Sequence, residues 1–234
     1  MAELLYEGKA KQVYKTEKED EYLIHYKDDA TAGNGVKHDK FEGKGVLNNT
    51  ISCIIFDMLE EAGIKTHMIK KLNERDILVK KVDIFPLEVI IRNITTGSFC
   101  KRLGAPEGVV LDEPIFEMRY KNDEYGDPLI NDDHAVALKL ATREELAYIK
   151  ETTLKINELL KEFFLSMNLK LVDFKIEFGK TADGTILLAD EISPDSCRLW
   201  DVDTNQKYDK DVFRQDIGDL IETYKAVLAR MQNK

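Results

Sequence analysis

Residues 172–179 read VDFKIEFG, and this stretch constrains the fold more than any other. A strand alternates its side chains between two faces. Phe174, Ile176 and Phe178 therefore share one face, which must enter a core. Asp173, Lys175 and Glu177 form a charged row on the other face, which needs either water or partners. A turn at Asp183-Gly184 leads into a second apolar run, 185–189, which ends in Asp190 and Glu191. Two such runs joined by a short turn predict an antiparallel hairpin. Cross-strand neighbours in a hairpin lie about 5 Å apart, so Glu177 and Asp190 are expected to approach one point, with Lys175 beside them. Hard divalent ions near phosphates take paired carboxylates of this kind. If the second strand continues, Glu191 faces the other way and has a structural role. A turn at Ser193-Pro194-Asp195-Ser196 follows, then Arg198, the only tryptophan (Trp200) and Asp201.

Composition narrows the classes. The chain has 234 residues, 43% of them hydrophobic and 33% charged, which is a globular rather than a disordered balance. A net charge of −10 argues against a general nucleic-acid surface but not against a local basic cluster for a phosphorylated ligand. No apolar run has the length of a membrane span. The opening MAELLYEGKAK lacks the basic and apolar regions of a signal peptide. Cys53, Cys100 and Cys197 are odd in number and far apart, which excludes a disulfide framework and a Cys-x-x-Cys zinc site. The expectation is a cytoplasmic protein. His25, His38, His67 and His134 stand at no metal-ligand spacing, so any metal is expected to be a hard ion on carboxylates.

The first third reads as a small sheet with one helix. Strands are expected at 3–6, 10–14, 22–26, 68–72 and 76–82, with 28–35 a loop by composition. Helical spacing from Val46 to Ala62 ends at Gly63. The Asp83-Ile84-Phe85-Pro86 break divides the chain into an N-terminal lobe, 1–83, and a C-terminal lobe, 84–234. Beyond it come a strand at 87–94 and a short helix at 99–103. An irregular region follows at 104–134, and then a helix opened by the capping box Thr142/Glu145. A last helix is expected from about Asp211, carrying Phe213, Ile217, Leu220, Ile221, Tyr224, Val227 and Leu228 inward.

Two further groups can hold anions. Gly8 permits a tight turn, and Lys9 and Lys11 beside it can reach one polyphosphate. The pattern lacks the second glycine and Gly-Lys-Ser/Thr end of a Walker loop, and the chain has no His-Arg-Asp kinase signature. Arg92 interrupts an apolar strand. Thr95-Thr96-Gly97-Ser98 opens a helix with free N–H groups and hydroxyls. Arg198 offers a bidentate fork.

Together these stretches resemble the SAICAR synthetase family. The matching segments are YEGKAK (6–11), KDDATAGNG (27–35), GKGVLNN (43–49), LVKKVD (78–83), EVIIRNITTGS (88–98), VDFKIEFG (172–179), ADEISPDSCRLWD (189–201) and DKDVFRQD (209–216). The resemblance implies an α+β fold of two lobes, a small antiparallel N-terminal lobe closing over ATP against a larger one. It implies an ATP-dependent ligase joining L-aspartate to the carboxylate of carboxyaminoimidazole ribotide (CAIR), with ATP and Mg2+ in the site and a homodimer as the assembly. Carried over, Lys9 and Lys11 are triphosphate contacts. Val13, Val82 and Ile84 line the adenine pocket, with Lys81 at the connection between lobes. Glu177 and Asp190 are the magnesium ligands. Arg92, Ser98, Asp195 and Arg198 hold CAIR, and Lys121, Asp127 and Lys175 are active-site polar residues. The alternatives are a small-molecule kinase using the same nucleotide apparatus and a non-catalytic nucleotide-binding module.

Overall fold

A computed structural model describes residues 3–32 and 37–233. The period-two runs near the N-terminus form β1 (Leu4–Glu7), β2 (Lys11–Lys15) and β3 (Glu21–Tyr26). With β6 (Met68–Lys71) and β7 (Asp76–Lys80) they make an antiparallel sheet of order β1-β2-β3-β7-β6. The stretch expected to be a loop at 28–35 instead contributes β4 (Asp29–Ala32), which pairs with β5 (Lys37–Lys40). Residues 33–35 of that stretch lie outside the described residues. The first helix, α1 (Lys44–Glu61), begins after Gly43, whose φ of 88° is left-handed. It has no side-chain cap from its own N-cap residue. Asp28 supplies one from outside the helix, accepting from the Gly45 N–H at 3.0 Å while its carboxylate takes both Arg75 Nη atoms at 2.8 and 2.9 Å.

The second sheet is organised on β12 (Leu169–Lys180), the strand of the alternating motif. Its order is β11-β10-β9-β12-β13, and two further strands, β8 and β14, also pair with β12. Here β8 is Asp83–Ile84, β9 Leu87–Ile94, β10 Val110–Tyr120, β11 Leu129–Ile130, β13 Ile186–Ala189 and β14 Cys197–Asp201. Residues 173–176 of β12 pair with β9, while its last four pair with β13 in a hairpin that sets Glu177 opposite Ala189. Both faces behave as the alternation requires. Phe174, Ile176 and Phe178 are at most 1% exposed in the core, and Asp173 and Glu177 are buried on the opposite side among charged partners.

Two parts of the C-terminal half differ from expectation. The region 104–134 is not irregular throughout, because β10 runs for eleven residues against β9. Its ladder is broken between Val110 and Ile115, around Pro114, which has no N–H to donate. After the short helix α2 (Gly97–Leu103) the chain also forms α3 (Asp132–Ala137), capped by Asn131. The last helix is two helices, α5 (Asp211–Arg214) and α6 (Leu220–Gln232). Asp216 at φ 55° breaks the run, and Asp219 caps α6 by accepting from Glu222 N at 2.9 Å. Ile217, in the break, is 57% exposed rather than inward.

The long helix α4 (Arg143–Leu165) opens with the expected capping box. Glu145 N donates to Thr142 Oγ1 at 3.2 Å, and Thr142 N donates to Glu145 Oε2 at 2.8 Å. It buries Leu146, Ile149, Ile156, Leu160 and Phe163, each contributing about 1.5–3 kcal/mol relative to exposure. The core is continuous between the two sheets: Ile24, Phe56 and Ile77 share one cluster with Leu87, Phe174 and Leu188. Backbone hydrogen bonds join the halves as well, His67 N to Leu188 O at 2.8 Å and Leu188 N to Lys65 O at 3.0 Å. The break expected after residue 83 falls inside β8, which already pairs with Gly179 and Lys180 of β12. Among the described residues no helix is long and apolar enough to cross a membrane.

Candidate active site

The hairpin brings its carboxylates to one ammonium. Lys175 Nζ donates to Glu177 Oε1 at 2.8 Å and to Asp190 Oδ2 at 3.0 Å. Asp190 is not a continuation of β13. It stands at φ 64°, a left-handed conformation uncommon outside glycine, and this turns the chain at the point where its carboxylate meets the cluster. Its other oxygen accepts from Lys11, which reaches across from the first sheet, and Glu177 Oε2 accepts from Lys121 at 2.6 Å. The result is an alternating row: Lys11, Asp190, Lys175, Glu177, Lys121.

Electrostatics within the row are strong because Glu177 is buried and Lys11, Asp190 and Lys175 are partly shielded from water, while Lys121 at the end of the row is exposed. Burial works against the charge on Lys11, but the Asp190 and Glu191 carboxylates outweigh it and hold the ammonium protonated. Lys175 likewise stays charged against burial, through Asp190 and Glu177. Burial opposes ionisation of Asp190 too, yet Lys11, Lys175 and Lys121 keep it well below the usual carboxylate range. Glu191 goes the other way: burial raises its pKa, Lys11 opposes this, and the neighbouring Asp190 charge adds to the rise. It is buried, with Oε2 lacking a hydrogen-bond partner, so it is an interior residue.

Beside the row lies a cavity of about 230 Å³ walled by four guanidinium groups, those of Arg92, Arg119, Arg198 and Arg214. Arg92, on β9, is 2% exposed. It is fixed by Glu117 Oε2 at 2.9 Å, Asp173 Oδ2 at 2.9 Å and Ser98 Oγ at 3.1 Å. Arg198, on β14, binds the same Asp173 oxygen at 2.8 Å and Asp211 Oδ2 at 2.9 Å. Burial opposes its charge, but those two carboxylates more than restore it. The close approach of Arg198 to the α2 start explains Gly97. At φ 57° a Cβ would be strained, and it would lie 2.7 Å from the Arg198 Nη2. Two oriented forks facing one cavity are suited to a phosphate or carboxylate.

The remaining sequence-derived residues are placed as follows. Lys9 is half exposed and pairs with Asp123 at 2.9 Å, so both N-terminal lysines reach acidic groups of the second half. Val13 packs beside the main core from β2. Val82 packs so tightly on Gly179 that a Cβ there would come within 2.5 Å of it. Ile84, opposite Gly179, is 42% exposed. Lys81 is exposed at the crossing between sheets, with its N–H on Asp20 O at 2.8 Å. Asp127, at φ 49°, accepts from Asn122 N at 2.8 Å and shapes its own turn. Asp195 lines the cavity, but its carboxylate is also gripped by Lys44 at 2.6 Å, Lys210 at 3.4 Å and the Tyr224 hydroxyl. Burial opposes its ionisation, and the two lysines prevail and keep it charged. That grip ties the 193–196 turn to α1 and α6.

Sequence reasoning missed Glu88, Arg119, Lys44, Lys210, Arg214 and Tyr224. Arg119 had a signal, since FEMRY at 116–120 alternates apolar and charged residues as 172–179 does. Lys44 and Tyr224 had none, because a charge at one helix start and a tyrosine in another reveal a shared partner only once folded.

Comparison with known proteins identifies the family of the chain. The family model described as SAICAR synthetase matches residues 4–231. The phosphoribosylaminoimidazole-succinocarboxamide synthase of Finegoldia magna is 67% identical over 230 residues, 98% of this chain and 99% of that protein. That of Caldanaerobacter subterraneus is 61% identical, covering 98% and 97%. Among solved structures, the Ehrlichia chaffeensis synthase superposes with a TM-score of 0.96 at 45% identity, covering 98% of each chain. A SAICAR synthetase in complex with ADP gives 0.95 at 50% identity, covering 98% and 97%. The chain therefore belongs to the SAICAR synthetase family, carbon–nitrogen ligases of purine biosynthesis.

Proposed function

We propose that the protein uses ATP to join L-aspartate to the carboxylate of CAIR, giving SAICAR, ADP and phosphate. The observation that carries this is the alternating Lys11–Asp190–Lys175–Glu177–Lys121 row set directly beside the arginine-walled cavity. ATP lies in the cleft between the two lobes, its phosphates over the row and its adenine against Val13, Val82 and Ile84, with Lys81 at the crossing. A relative of 50% identity has been solved with ADP, which supports nucleotide use. Lys9 and Lys11, now on Asp123 and Asp190, turn to the phosphates when the nucleotide arrives. Arg92, Ser98 and Arg198 take the phosphate and ribose of CAIR, and Asp195 shapes that end through the 193–196 turn. Lys121, Lys175 and Asp127 border the reacting groups.

Magnesium fits the carboxylates. Glu177 and Asp190 are hard oxygen donors close enough to share the Lys175 ammonium. Among the described residues no three acidic, histidine or cysteine side chains form a metal site, so Glu177 and Asp190 would hold the ion as a pair. Bound, it neutralises phosphate charge.

The γ-phosphoryl group passes to the CAIR carboxylate, releasing ADP and leaving an acyl phosphate. The aspartate amine, once deprotonated, attacks the acyl carbon and phosphate departs. Such chemistry needs positioning and charge neutralisation more than a side-chain nucleophile, and lysines, arginines and carboxylates provide both. The three free cysteines support a reducing, cytoplasmic setting, and the homodimer rests on the family resemblance. The test is aspartate dependence. Sustained ADP release is expected only with CAIR and aspartate together; full turnover on CAIR and ATP alone would make the protein a kinase.

A further inference from the structure

A second cavity, of about 630 Å³, opens where the end of α1 meets the β12–β13 hairpin. It shares no lining residue with the arginine-walled cavity, with the lysine–carboxylate row or with the residues assigned above to the nucleotide. One wall belongs to the first half of the chain, with Ile64 and Lys65 just past α1 and Lys80 at the end of β7. The other belongs to the second half, with Asp183 in the hairpin turn and Leu187 on β13. The walls are fixed to each other by backbone: Leu188 N donates to Lys65 O at 3.0 Å, and His67 N donates to Leu188 O at 2.8 Å. The cavity is therefore preformed, and its volume lies within the range of about 300–1,000 Å³ usual for small-molecule sites.

Its charges differ in freedom. Both carboxylates are engaged. Glu60 Oε1 accepts from the Thr66 hydroxyl at 2.5 Å, and Asp183 Oδ1 accepts from the Thr181 hydroxyl and from Thr185 N, the latter at 3.1 Å. The cations are not. Lys65 and Lys80 are exposed, and among the described residues neither ammonium has a hydrogen bond or an ion pair within 4.0 Å. Exposed lysines elsewhere, such as Lys18, Lys155 and Lys225, each hold a nearby carboxylate. Lys65 and Lys80 stand over acidic neighbours already taken by hydroxyls, so their partner has to come from outside the chain.

We propose that this cavity is a second ligand site, separate from the reacting centre, and that it takes a small phosphate monoester with an apolar body. The dianionic phosphate sits between Lys65 and Lys80, one charge for each ammonium, as lysines commonly hold phosphate. The apolar body rests on Ile64 and Leu187, which are 8% and 2% exposed. An occupant touches both halves of the chain at once. Leu187 stands on β13, the strand that ends just before Asp190, and Lys80 is followed by Lys81 at the crossing between sheets. The ligand thus adds a tie between the halves beside the two segments that lead into the reacting centre. The proposal does not depend on which reaction that centre performs.

The experiment titrates phenyl phosphate calorimetrically into protein already saturated with MgADP and CAIR, so that neither of those ligands' sites is open to the probe. One equivalent is expected to bind. A double variant, Lys65→Met with Lys80→Met, keeps both apolar stems and removes both charges. It should weaken phenyl phosphate by at least roughly 10-fold, the scale of a lost charge-assisted contact partly screened by water. Benzoate, with the same ring and a single charge, should bind more weakly than phenyl phosphate, and so should inorganic phosphate, which has no apolar body. No saturable binding to the wild type would overturn the proposal whatever the variant does. Unchanged affinity in the double variant, or benzoate binding as tightly as phenyl phosphate, would overturn it equally.

Discussion

Asp190→Asn is expected to give a folded protein whose turnover is lower by at least roughly 100- to 1,000-fold, the cost of deleting one preorganised charge at a reacting centre. The substitution isolates charge from shape. Asp190 occupies a left-handed backbone position, φ 64°, and asparagine tolerates that conformation as well as aspartate does. The neighbouring ammoniums are not abandoned: Lys175 retains Glu177 at 2.8 Å, and Lys11 retains Glu191 at 3.9 Å. What disappears is half of the proposed magnesium pair and the negative charge that now holds Lys11 beside the proposed nucleotide position. Circular dichroism with a magnesium titration of activity checks the prediction. Undiminished turnover would remove Asp190 from the metal site.

Arg198→Ala should act on the other end of the site. KM for CAIR is expected to rise roughly 10- to 150-fold, about 1.5–3 kcal/mol for a charged contact, while KM for ATP changes little. The fold should survive. Asp173 keeps Arg92 at 2.9 Å and Asp211 keeps Arg214 at 2.6 Å, so neither buried carboxylate is left bare. Removing the fork also frees the space over Gly97 rather than crowding it. Measured KM values for each substrate decide the point, and equal weakening of CAIR and ATP would undo the assignment of Arg198 to the CAIR end.

Local patterns made much of this legible in advance. The alternation at 172–179 encodes the two faces of β12, because a strand with phenylalanines on one side can bury only that side as apolar core. The capping box at Thr142 and Glu145 marks a helix start through its own chemistry. The turn at Asp183-Gly184 fixes the β12–β13 register and hence the meeting of Glu177 and Asp190 on Lys175. What stayed hidden depended on distant partners or on broken regularity. Pro114, at the break in the β9–β10 ladder, disguises β10, and with it Arg119. Asp216 in a left-handed conformation divides what reads as one C-terminal helix. The grip of Lys44, Lys210 and Tyr224 on Asp195 joins four segments that no spacing relates. Glu88 reads as a polar residue in an apolar strand, and its place in the cavity wall emerges only in the fold.

The central claim is that ATP activates the carboxylate of CAIR for attack by the aspartate amine. CAIR bearing a heavy oxygen isotope in that carboxylate tests it most directly, with the released phosphate analysed by mass. Ligation predicts that one labelled oxygen moves from the carboxylate into inorganic phosphate in each turnover, and only while aspartate is present. Phosphate released without label during SAICAR formation would contradict activation of the carboxylate by phosphoryl transfer.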